Sequence, residues 1–340
     1  MKKSKAIHYQ LDPVNANAHL LHVSCQIPQP DANGQQLSLP AWIPGSYLIR
    51  EFARHIVWLK AECNGQPVAV EKIDKATWRC APVKGELLIR YEVYAFDLSV
   101  RGAYFDSQRL FFNGTSVFLQ VAGQGSRACI VDILPPKADD CKGWRVATAL
   151  PRLDAPKHGF GTYIAGDYDE LIDHPVEMGT FTHASFEACG VTHHIAITGR
   201  HRADMARLCA DLKRICEWQI KLFEPESAAA PMREYWFLVM AVGDGYGGLE
   251  HRNSTALIAS RRDLPRLGDA RTSEGYTTLL GLISHEYFHT WNVKRLRPAE
   301  FARYDYGREN YTSLLWFFEG FTSYYDDLLL RRAGLLDDAG

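Results

Sequence analysis

From the first residues to about residue 180, apolar and polar positions alternate in short runs, as in Leu21, Val23, Cys25, Ile27 and again in Ile89, Tyr91, Val93, Ala95. A period of two sends successive side chains to opposite faces, so these runs predict half-buried strands. Pro28, Pro30, Asn33-Gly34, Pro44-Gly45, Asn64-Gly65 and Pro135-Pro136 separate them as turns. A helical period shows only briefly, near residues 48–52. The first 180 residues therefore read as an antiparallel β domain of sandwich type.

The texture changes near residue 200. Met205, Leu208, Cys209, Leu212, Ile215, Cys216, Leu222 and Phe223 recur at three- and four-residue steps, which predicts an amphipathic helix over 203–223. Residues 234–242 are rich in aromatic and β-branched side chains and run into Gly243-Asp244-Gly245, a strand ending in a turn. A shorter strand is expected over 255–259. Thr272 or Ser273 can cap a helix reaching about Trp291, and a last helix is expected over 312–332, with Arg331 and Arg332 suiting its dipole and Gly334 stopping it. The fold class is thus α+β and multidomain: a β domain over 1–180 and an α+β domain over 181–340.

Composition narrows the function classes. The 340 residues, 46% apolar and 23% charged, belong to a globular chain, and the length suggests two domains. A formal charge of -2 without a basic stripe argues against nucleic acid as a partner. The N-terminus lacks an apolar run of signal-peptide length, and the longest apolar runs, near 279–283 and 314–318, fall far short of the roughly 20 residues of a membrane span. A cytoplasmic protein is expected. Eight cysteines without a CxxC pair argue against a cysteine zinc site and a disulfide scaffold, and read as reduced, mostly buried thiols.

The strongest chemical signal is His285-Glu286-Tyr287-Phe288-His289 within the predicted helix ending near Trp291. Four residues make about one helical turn, so both imidazoles project from one face and can meet a single zinc ion. Glu286, offset by one residue, can act on the attacking water as general base. Leu279, Leu280, Leu282 and Ile283 turn the motif toward the interior, where unpaired ionisable groups are costly. Catalytic zinc usually takes three protein ligands and keeps one open position. Glu319, 30 residues on in an aromatic stretch, is the best third ligand, and Ser323 or Asp326 on its face could orient an imidazole. Gly247-Gly248-Leu249-Glu250 could let a peptide backbone lie close, with Glu250 on a substrate's free amino group. Taken alone, that stretch reads more readily as an ordinary glycine turn beside a surface glutamate.

Together these pieces resemble the glycyl aminopeptidase family of gluzincin zinc metallopeptidases, distant relatives of aminopeptidase N. The likeness rests on His285-Glu-Tyr-Phe-His-Thr-Trp-Asn-Val-Lys-Arg-Leu-Arg-Pro298, on Trp316-Phe-Phe-Glu-Gly-Phe-Thr-Ser-Tyr-Tyr325 and on Tyr246-Gly-Gly-Leu-Glu-His251. Trp42-Ile-Pro-Gly-Ser-Tyr-Leu-Ile-Arg50 and Phe111-Phe-Asn-Gly-Thr-Ser116 extend it over nearly the whole chain. The resemblance implies one Zn2+ held by His285, His289 and Glu319, Glu286 as general base, and a thermolysin-like catalytic domain behind the β domain. It also implies that Gly247, Gly248 and Glu250 bind substrate, Glu250 through the N-terminal amine, and that peptides with a free N-terminal glycine or alanine are cleaved. Relatives continue into a helical domain and a PDZ domain, so the chain ending at Gly340 reads as truncated. A transition-state tyrosine is expected beyond that point, and neither Tyr324 nor Tyr325 takes the role. An endopeptidase on the same scaffold, and a zinc- or peptide-binding fragment without turnover, are the alternative functions.

Overall fold

The structure is a computed structural model, and it describes residues 5–337. The chain divides into two compact units: one runs to Thr180 and includes Asp305–Asn310, the other comprises Phe181–Tyr304 and the chain from Tyr311. The short return of residues 305–310 to the first unit has no counterpart in the sequence pattern. It is held there by backbone, with Ala41 and Trp42 N–H both donating to the Tyr306 carbonyl.

The first unit is built on a seven-stranded sheet. Its order is Gly161–Ala165, Cys129–Ile133, Ile7–Asn15, Leu20–Ile27, Leu87–Tyr94, Ile56–Cys63 and Gln66–Val68. All neighbours are antiparallel except Ile7–Asn15 and Cys129–Ile133, which run parallel. Two four-stranded sheets complete the unit, so the expectation of a plain antiparallel sandwich is refined by a third sheet and one parallel pair. Alternation does its work here: Leu21, Val23, Cys25 and Ile27 are all buried, as are Ile89, Tyr91, Val93 and Ala95. Three buried tyrosines tie the segment 117–119 into this core. Tyr91 donates to the Val117 carbonyl at 2.8 Å, Tyr168 to that of Phe118 at 2.7 Å and Tyr9 to that of Leu119 at 2.7 Å, so each of these three buried phenols has an acceptor.

One helix in this half was not predicted. Helix α1, Tyr168–Ile172, is only five residues long and shows no period, but Asp167 caps it by accepting from Glu170 N–H at 2.7 Å. Near residues 48–52, where a helical period showed, the structure has a 3-10 turn over Phe52–His55.

The second unit carries a five-stranded sheet ordered Thr182–Ala188, Val191–Thr198, Glu234–Val242, Ser254–Ser260 and Tyr246–Glu250. The middle three strands are parallel and the two edge strands antiparallel to their neighbours. Glu234–Val242 is buried along nearly its whole length, as a central parallel strand must be when both faces are covered. Helix α2, Met205–Phe223, places Leu208, Leu212, Ile215, Cys216 and Ile220 in the same core as Tyr235, Phe237 and Val239.

Helix α3, Glu274–Phe288, begins at Ser273, whose hydroxyl accepts from Tyr276 N–H at 3.1 Å. Its apolar residues are buried all round, which is why it shows little amphipathic pattern. It stops at Phe288, short of the expected Trp291, because Thr290 N–H turns back to Tyr287 O in a tighter i+3 step. Helix α4, Leu315–Arg332, begins three residues later than expected, without a side-chain cap, and ends before Gly334 at a φ of +67°. Among the described residues, no helix is long and apolar enough to cross a membrane.

Candidate metal centre

Helix α3 delivers His285 and Glu286 in its last turn and His289 at its C-cap, still in helical backbone conformation. The shortened helix therefore costs the motif nothing in geometry. Helix α4 lies against α3 and brings Glu319 to the same point. His285 Nε2 and His289 Nε2 stand 3.1 Å apart, and Glu319 Oε2 lies 3.4 Å from the first and 3.6 Å from the second. Donors about 2.0–2.1 Å from a tetrahedral ion sit about 3.3–3.4 Å from one another. The triangle matches that spacing. Among the described residues, it is the one cluster of three or more His, Cys, Asp or Glu side chains able to hold a metal ion.

The second nitrogen of each imidazole is occupied. His285 Nδ1 lies 2.9 Å from Asp326 Oδ2, and His289 Nδ1 donates to the Asn292 carbonyl at 2.8 Å. Holding the proton on Nδ1 leaves the Nε2 lone pair to face the ion and fixes the ring plane. Of the two residues weighed as orienting groups, Asp326 makes this contact, while Ser323 is exposed. Asp326 is itself held, its Oδ1 accepting from Asp327 N–H at 2.6 Å, and its carbonyl accepts from Ser284 Oγ at 3.0 Å. Gln219 of α2 donates to both the carbonyl and the hydroxyl of Ser284, at 2.9 and 3.0 Å, so all three helices brace one point.

Glu286 is 5% exposed and its Oε2 has no hydrogen-bond partner. Burial and the charge of Glu250 push its carboxyl up to about 7, against the pull of His289 and His285. His285 is raised too, which for an imidazole favours the charged form. Burial disfavours its cation, yet the contacts with Asp326 and Glu319 outweigh this and raise it to about 10. His289 is raised as well, burial being overcome by Glu250, Glu319 and Glu286. A site that stabilises two buried imidazolium ions has a negative field suited to a divalent cation.

The glycine stretch proves to be a strand rather than a turn before one. Gly247, Gly248 and Glu250 lie in Tyr246–Glu250, the edge strand of the sheet, paired with Ser254–Ser260. A Cβ on Gly248 would collide with the Glu286 carboxylate, so only glycine leaves room for that side chain; Gly247 meets no such limit. Glu250 is 3% exposed, and its Oε1 lies 3.9 Å from the buried ammonium of Lys294. Lys294 and the Asn292 carbonyl were missed by sequence reasoning. Both lie just past the HExxH helix, where only the folded turn brings them back to the site.

A model of the Peptidase M61 N-terminal domain matches residues 8–180, and one of the M61 glycyl aminopeptidase matches residues 278–340. No curated protein sequence matches. Among solved structures, an aminopeptidase N family protein from Idiomarina loihiensis is similar at 46% identity and a TM-score of 0.94, over 98% of this chain and 55% of that one. The chain thus spans just over half the length of that neighbour. An M1 zinc metallopeptidase from Deinococcus radiodurans is similar in fold at 12% identity and a TM-score of 0.55, over 98% of this chain and 72% of that one. Aminopeptidase A of Legionella pneumophila, in complex with aspartic acid, is likewise similar at 12% identity and a TM-score of 0.58, over 96% and 37% of the two chains.

Proposed function

Because the chain belongs to the M61 glycyl aminopeptidase family, we propose that it is a zinc-dependent aminopeptidase that removes an N-terminal glycine or alanine from peptides. The observation that carries this reading is the meeting of two buried carboxylates, Glu286 and Glu250, beside the triangle of His285, His289 and Glu319. One carboxylate serves the water and the other the substrate amine.

His285, His289 and Glu319 would hold the ion. Zinc bound there supplies a Lewis acid for the scissile carbonyl and makes water more acidic. Glu286, raised to about 7 with Oε2 unpartnered, takes the proton of the attacking water and returns it to the departing amine. Glu250 binds the protonated N-terminus of the peptide. Lys294 balances its charge when no substrate is present, so the carboxylate is not buried alone. Gly247 and Gly248 keep the edge strand clear of side chains, which lets a peptide backbone come close. The preference for glycine rests on the family description. The eight unpaired cysteines, six of them buried, support a cytoplasmic setting.

The test compares a glycyl peptide with its N-acetylated form. The aminopeptidase reading expects cleavage of the free amine alone, and loss of that cleavage by orders of magnitude in Glu250→Gln with zinc retained. Cleavage of both forms would point to an endopeptidase. A second reading, a zinc- or peptide-binding piece without turnover, draws support from the open aromatic face of α4, where Trp316 is 66% exposed and Phe317, Phe321 and Tyr324 are exposed too. Absence of cleavage by the zinc-loaded chain would favour it.

A further inference from the structure

A cationic cavity of about 880 Å³ lies in the second unit, away from the metal centre. Arg200 and Arg202 follow the strand Val191–Thr198, and Arg261 and Arg262 follow Ser254–Ser260; with Arg266 they line one hollow. The two strands run parallel on either side of Glu234–Val242, so the arginines gather at the carboxyl ends of the parallel strands. In open α/β sheets that edge is where ligands bind. Glu250 pairs with Thr255 near the opposite end of Ser254–Ser260. The cavity is therefore a separate place from the proposed reaction site.

Five guanidinium groups around one hollow repel each other unless something neutralises them. The protein supplies little of that counter-charge: none of the five exposed side chains forms an ion pair with a carboxylate among the described residues, and only Arg266 is near enough to Asp269 to help hold its carboxyl low. Two acids of the adjoining segments have partners of their own. Asp204 caps α2 by accepting from Arg207 N–H at 3.0 Å, and Asp269 pairs with Arg271 at 2.8 Å. Arg207 is also spoken for, donating to the carbonyls of Asp269 and Arg271 and to the hydroxyl of Thr272. His201 gives shape rather than charge. Its Nδ1 accepts from Ala203 N–H at 3.2 Å, which leaves its proton on Nε2, 3.0 Å from Thr182 Oγ1.

We propose that this cavity is a binding site for an organic di- or triphosphate. Planar guanidinium forks fit phosphate oxygens two at a time, and several guanidinium groups lining one hollow call for several charges on a compact group, with Arg261 held at its edge by Nε donating to the Val242 carbonyl at 3.0 Å. A peptide spreads its carboxylates at about 3.3–3.6 Å of chain per residue and does not concentrate them in this way. Leu264 and Ala203 give the cavity an apolar floor, and Leu267 stands 79% exposed at its rim, a surface for the organic part of the ligand. The volume falls within the about 300–1,000 Å³ of small-molecule sites.

Calorimetric titration with inorganic tripolyphosphate, and with a nucleoside triphosphate, tests the site at about 0.15 M salt, where weak surface charge effects are screened. Binding is expected in the protein and also in His285→Ala, which removes the metal centre as the place of capture. Arg202→Ser/Arg262→Ser should bind at least about tenfold more weakly, equivalent to about 1.4 kcal/mol. Both side chains are exposed, and Arg200→Ser/Arg266→Ser repeats the test if that variant fails to fold. No binding, or equal binding in the arginine variants, would overturn the proposal. So would an acidic peptide of matched net charge that binds as tightly as tripolyphosphate.

Discussion

Gly248 faces the carboxylate of Glu286 so closely that a single added methyl group would overlap it. The edge strand and the HExxH helix are thus fitted to each other at the carboxylate proposed to handle the proton. Gly248→Ala should push Glu286 out of place while leaving His285, His289 and Glu319 untouched. Kinetics with metal analysis should show kcat/KM reduced by about 100-fold or more, the scale of a general base, with zinc content unchanged. Normal activity would mean that Glu286 relaxes without cost and that its position is not critical.

Asp326 lies 2.9 Å from His285 Nδ1 and would act on a bound metal only through that ring. Asp326→Asn should lower zinc affinity about 10–100-fold, the usual effect of removing such a support, measured by competition against a chelator. Affinity equal to that of the unaltered protein would reduce Asp326 to a bystander.

The raised pKa values of the two histidines give zinc uptake a pH signature. Near pH 7, below the value of about 10 for His285, the metal-free imidazole is protonated, and the ion must displace that proton. Binding should release about one to two protons and tighten as pH rises, as calorimetry in buffers of different ionisation heat would show. The sign for folding is opposite. A group raised from 6.5 to about 10 stabilises the metal-free fold fully below pH 6.5 and loses that contribution as pH rises through 10. Zinc binding without proton release would contradict the electrostatic picture.

Local features were legible in the sequence and meeting points were not. The four-residue step of His285 and His289 announces a shared face because a helix turn is a local rule. Ser273 as a cap and Leu21 to Ile27 as a half-buried strand are local in the same sense. Glu319 was found because a carboxylate in an aromatic stretch needs a reason. By contrast, Asp326 and Ser323 could not be told apart, since the choice depends on how α4 rotates against α3. Lys294 was silent because its partner Glu250 lies 44 residues earlier, on another element. The arginine cavity was invisible for the same cause: two short basic pairs some 60 residues apart look like ordinary surface until parallel strands bring their ends together.

The central claim is that His285, His289 and Glu319 hold one zinc ion while Glu286 does the proton work beside it. Glu286→Gln keeps the side-chain shape and removes the basic oxygen, so it separates the two roles. Metal content and peptide hydrolysis measured on the same preparation give the most direct test. The account predicts one equivalent of zinc, as in the unaltered protein, and hydrolysis of a glycyl peptide reduced by at least about 100-fold. Loss of zinc in this variant, or hydrolysis at the original rate, would contradict it.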